Sequence, residues 1–71
     1  MSPDKLVHMV NQIAAFFASQ PPARQVPGVT NHLRDFWAPE MRSQLLQIAA
    51  AGEHEIHPVA QAAVEALRGE G

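Results

Sequence analysis

Cysteine is missing from this 71-residue chain. That removes the disulfide, the cysteine-ligated iron–sulfur cluster and the thiol nucleophile together. Charge is also scarce: five Lys and Arg against seven Asp and Glu give a formal net charge of −2. Such a balance provides no electrostatic footprint for nucleic acid, whose backbone must be neutralised by a basic surface. The charge is uneven, since residues 1–50 carry Lys5, Arg24, Arg34 and Arg42 against Asp4, Asp35 and Glu40, whereas Glu53, Glu55, Glu65 and Glu70 face only Arg68 thereafter. No apolar run approaches the roughly 20 residues of a membrane span. Asp4 and Lys5 open an amphipathic segment, not the apolar stretch of a signal peptide. There is no glycine-rich phosphate loop. The expectation is a soluble, intracellular, single domain covering 1–71. At this length one core is only marginally sufficient, so added stability must come from a metal, self-association or a partner.

What the chain does have is proline, six in all, and helical periodicity. Ser2-Pro3-Asp4 reads as a helix start: an N-cap, a proline at the first helical position and an acid facing the dipole. Leu6, Met9, Val10, Ile13, Phe16 and Phe17 then recur at three- and four-residue steps, which predicts an apolar face. His8, Asn11, Gln12, Ala15 and Ser19 line the other side. Pro21-Pro22 end this helix, and the segment 20–28, with three prolines and a glycine, reads as a fixed loop. A short helix over 29–37 is expected to bury Val29, Leu33 and either Phe36 or Trp37. Pro39 starts a third helix, 39–51, with Met41, Leu45, Ile48 and Ala49 inward and a stop at Gly52. Pro58 starts a fourth, 58–68, with Val59, Ala63, Val64 and Leu67 inward. No segment alternates with period two. The fold is expected to be all-α.

The run His32-Leu33-Arg34-Asp35-Phe36-Trp37-Ala38-Pro39-Glu40-Met41-Arg42 holds the only tryptophan. Pro39 breaks it into two helices, because proline lacks an N–H and drives the preceding residue out of helical geometry. Aromatic residues between arginines at a rigid bend suit a binding surface, and they equally suit the closure of a small core. Phe16, Phe17, Ile13, Leu33, Leu45 and Phe36 are expected in the core. Trp37 is open between core and surface. Arg34 is expected to pair with Asp35 or solvent, or with a partner.

Other chemistries find little support. A helix-turn-helix reader would need phosphate contacts around Arg42, Ser43, Gln44 and Gln47, where little positive charge lies. His54-Glu55-Ile56-His57 has histidines three apart, not the four of the zinc-protease helix, and lacks a third ligand. That segment reads as a solvated connection, with His57 a weak N-cap. His8 is expected to face solvent and His32 to make a partly buried polar contact. Ser19, Ser43 and Lys5 have no evident base beside them, and the carboxylates lie at helix ends or in the acidic tail. No catalytic, cofactor-binding or metal-binding residues are expected.

The opening Ser2-Pro3-Asp4-Lys5-Leu6-Val7-His8-Met9-Val10-Asn11-Gln12-Ile13, then Phe16-Phe17, then His32-Leu33-x-x-Phe36-Trp37-x-Pro39-x-Met41-Arg42, resemble the delta subunit of NAD-dependent, molybdenum-containing formate dehydrogenase. The closing Pro58-Val59-x-x-Ala62-x-x-x-x-Leu67 is similar as well. The resemblance spans nearly the whole chain. Two positions depart from the family's pattern: Ala38, where a capping or polar residue is common, and His57, where Asp is common. Each departure weakens a helix cap by about 1 kcal/mol. The resemblance implies a cytoplasmic accessory subunit of a large soluble complex, without a cofactor of its own. In that complex the alpha subunit carries the molybdenum bis-guanine-dinucleotide cofactor and iron–sulfur clusters, and other subunits carry flavin and reduce NAD. The small subunit would support assembly, stability or cofactor insertion. Formate dehydrogenase subunits, above all the alpha subunit, are the expected partners, with neither nucleic acid nor membrane. Trp37, Arg34, Arg42, Met41 and His32 are the expected partner-binding residues. The alternatives are a free-standing homodimeric adaptor, closing the same aromatic patch on itself, and a small metal- or DNA-binding regulator.

Overall fold

The computed structural model describes residues 1–70 and contains four helices: α1 (Pro3–Ala18), α2 (Pro22–Phe36), α3 (Pro39–Ala51) and α4 (Pro58–Gly69). Each begins with a proline at its first position, where the missing N–H has no intrahelical partner to lose. The Ser2 hydroxyl accepts from the Lys5 N–H at 3.3 Å, completing the cap of α1. At the head of α4, His57 Nδ1 accepts from the Val59 N–H at 3.1 Å, so the weak histidine cap is real. Ala38 offers α3 no side-chain cap. Gly52 ends α3 with φ of 70°, the left-handed conformation in which glycine escapes the Cβ penalty.

One expected element is corrected. The segment 20–28 is not a loop, because α2 starts at Pro22 and only Ser19–Pro21 connect it to α1. Pro22 is itself a helix start, and the Arg24 N–H bonds the Pro21 carbonyl at 2.8 Å. Gln25 then reaches back across the turn. Its Nε2 donates to the carbonyls of Ala18 (3.1 Å), the last residue of α1, and Gln20 (2.9 Å), in the connection itself. Pro27 lies inside α2 and deprives it of one bond, to the exposed Ala23. An interior proline costs about 3 kcal/mol, which the burial of Val29, Thr30 and Leu33 further along the helix offsets.

α1 lies against the other three helices, and α2 packs chiefly on α4 and α1. Consecutive α2 and α3 meet mainly at their shared corner. The core draws Leu6, Val10 and Ala14 from α1, Val29 and Leu33 from α2, Leu45 and Ile48 from α3, and Ala60, Ala63 and Val64 from α4. The two alanines allow α4 to sit close to α2. Thr30, the one buried polar residue among those described, donates its hydroxyl to the Val26 carbonyl at 2.8 Å, so its burial leaves no open donor. At Gly28 α1 approaches so closely that a Cβ there would collide with the Phe17 ring. Among the described residues no helix is long and apolar enough to cross a membrane.

Candidate functional site

The aromatic corner resolves in a direction the sequence left open. Trp37 is 5% exposed and joins the core, while its neighbour Phe36, expected inside, is 76% exposed. The backbone explains the exchange. Trp37 leaves helical geometry (ψ 138°) while its N–H still bonds the Leu33 carbonyl at 3.1 Å, so the ring turns in under the corner. Phe36 keeps its helical position and stays on the outer side.

Arg42 fastens this corner. Its Nη1 lies within hydrogen-bond distance of three carbonyls where α2 ends: those of Arg34 (3.2 Å) and Trp37, and that of Leu33 (3.3 Å), which also accepts from the Trp37 N–H. Its guanidinium therefore serves as a C-cap for α2 from the first turn of α3. Met41 is half-buried against the core. Arg34 is exposed but not free: it pairs with Glu70 and donates to Asn31 Oδ1 at 2.6 Å, where Asp35 was one of the contacts expected. Of the five residues expected to bind a partner, Trp37, Arg42 and Met41 build the corner. Arg34 and His32 reach the surface.

His32 belongs to a patch the sequence did not point to. Its ring lies 5.0 Å from that of Phe36, and it lines a shallow groove with Gln12, Ile13, Phe16 and Phe17. Phe16, also expected in the core, is 64% exposed and meets Phe17 edge to face at 5.1 Å. The result is an exposed aromatic surface across the α1–α2 seam. A signal for it existed in the pairs Phe16-Phe17 and Phe36-Trp37. Adjacent residues on a helix point about 100° apart, so both members of a pair seldom reach the same core.

The 53–57 connection is better anchored than a solvated loop. Asn11 of α1 donates Nδ2 to the Glu55 carbonyl (3.0 Å) and accepts the His57 N–H on Oδ1 (2.8 Å). His54 Nε2 lies 3.1 Å from Asp4 Oδ1. The histidines are thus engaged with α1 and with the head of α4. Among the described residues no three His, Asp or Glu side chains converge in a way that would hold a metal ion. His8 is exposed.

A family model described as "NADH-dependant formate dehydrogenase delta subunit FdsD" matches residues 5–64, a span that includes the corner and both exposed phenylalanines. No curated protein and no solved structure matches the chain.

Proposed function

The chain belongs to the family of NADH-dependent formate dehydrogenase delta subunits, and we propose that it acts there as a non-catalytic accessory subunit. In this reading it docks on the other subunits, foremost the molybdenum-containing alpha subunit in the cytoplasm, and supports assembly, stability or insertion of the molybdenum cofactor. The family match over residues 5–64 carries the reading. The exposed aromatic patch of Phe16, His32 and Phe36 supports it, because large aromatic side chains held outward by rigid helices are the usual anchors of an interface. The two phenylalanines together offer roughly 300 Å², while a stable interface takes about 800 Å² from each partner. They therefore serve as anchors within a larger contact. A partner that binds only the folded chain would also add to its modest folding free energy. Within this reading Arg34 and His32 contact the partner, and Trp37, Arg42 and Met41 hold the contacting surface in place.

Deleting the chain from cells tests the proposal. Formate oxidation and the molybdenum content of the alpha subunit should both fall, with the alpha polypeptide still made. The double variant Phe16→Ser, Phe36→Ser should reproduce the deficit while keeping its helix content. Fully active, fully metallated enzyme from cells lacking the chain would overturn the proposal.

A further inference from the structure

We propose that the groove between the last turn of α2, the start of α3 and the end of α4 receives an acidic segment of the partner subunit, with Arg34 gripping its carboxylate. In the free chain Glu70 keeps that position filled. The inference rests on the accessory-subunit reading and identifies a second contact, apart from the aromatic patch.

Three observations carry it. First, the Arg34 guanidinium is oriented in advance. Asn31, one turn earlier, accepts from its Nη1 at 2.6 Å. This leaves the Nε and Nη2 edge, the edge that matches both oxygens of a carboxylate. Glu70 occupies that edge with both oxygens, Oε1 at 3.3 Å from Nε and Oε2 on Nη2. Second, Glu70 is a weakly held occupant. It caps the C-terminus of α4, where the helix dipole disfavours negative charge. Both side chains of the pair are nearly half exposed, 43% and 48%, so the pair is readily exchanged. Third, the groove has the composition of a peptide site. Pro39, Leu46 and Leu67 supply apolar walls, Ser43 a hydroxyl, and Arg42 a second positive charge. Arg68 stands at the edge, donating to the Leu46 carbonyl at 3.4 Å while pairing with Glu65 at 3.6 Å. With Glu70 displaced, the groove is cationic with an aliphatic floor. It fits an Asp or Glu beside an aliphatic residue.

The test measures binding of the full-length chain to formate dehydrogenase purified from cells lacking it, at low and moderate salt. Glu70→Gln removes the internal competitor and should tighten binding by about two- to fivefold. Arg34→Gln should weaken it by roughly tenfold or more and flatten its salt dependence. Circular dichroism and Trp37 fluorescence establish that each variant is folded. Should Arg34→Gln lose its helices, the Glu70→Gln result decides alone. Wild-type affinity in both variants, alongside lost binding in Phe16→Ser, Phe36→Ser, would overturn this inference and leave the accessory-subunit reading intact. Absence of wild-type binding would overturn both. Self-association of the Glu70→Gln chain in sedimentation would make the occupant a second copy, and that too would overturn it.

Discussion

The guanidinium of Arg42, in the first turn of α3, donates to the carbonyl of Trp37, the residue that caps the end of α2. The two residues stabilise the same corner from opposite sides: Trp37 fills the space beneath it, and Arg42 satisfies the backbone above. Trp37→Ala should therefore cost about 3–5 kcal/mol, the range for deleting a large buried aromatic, and leave the isolated chain largely unfolded at room temperature. Arg42→Met keeps the aliphatic stem and removes the donors. It should cost about 1.5–3 kcal/mol, since hydrogen bonds from a charged group are lost to partly buried carbonyls. Thermal melts followed by circular dichroism measure both. A Trp37→Ala chain as stable as wild type would place the ring outside the core.

Gly28 is required by a neighbour and not by its own backbone angles. A methyl group there meets the Phe17 ring, so Gly28→Ala should destabilise by about 1–3 kcal/mol through overpacking. Pairing it with Phe17→Leu should recover part of the loss, because the smaller side chain vacates the contested space. Urea denaturation of the two single variants and the double variant would show this as strong non-additivity.

Asn11 should prove more important than its position on a largely polar face suggests. Asn11→Ala removes both bonds to the 53–57 connection and should cost about 1–3 kcal/mol, whereas Gln12→Ala next to it should stay within about 0.5 kcal/mol. His57→Ala removes the cap on α4 and should cost about 0.5–1 kcal/mol. Hydrogen exchange would locate both losses at the Glu55–Val59 amides.

The four helices were legible because their signals are local. Proline starts at Pro3, Pro39 and Pro58, the αL stop at Gly52 and three- to four-residue apolar spacing all act within a turn or two. The early start of α2 was obscured by Pro27, which is a helix breaker by propensity and is retained here by the packing of residues that follow it. The same rule that reads Pro3 as a first helical position applies to Pro22. The reversed burial of Phe36 and Trp37 depends on one backbone step out of the helix at residue 37. Apolar periodicity is indifferent to such a step. The Arg34–Glu70 pair joins residues 36 positions apart, and its formation depends on how α2 and α4 are set against each other. No short-range pattern contains that information. Arg42 was read from the sequence as a partner contact, whereas its acceptors here are backbone carbonyls of its own chain, which any sequence supplies equally.

The proline at the head of every helix also acts where there is no structure at all. A proline compatible with the native backbone narrows the range of conformations open to the denatured chain and raises stability by about 0.4–1 kcal/mol at each site. Pro3, Pro22, Pro39 and Pro58 all occupy such positions. Together they contribute roughly 2–4 kcal/mol without burying any further apolar surface. For a chain whose four helices share one small core, a substantial part of the folding free energy is thus set by how little freedom it has to lose.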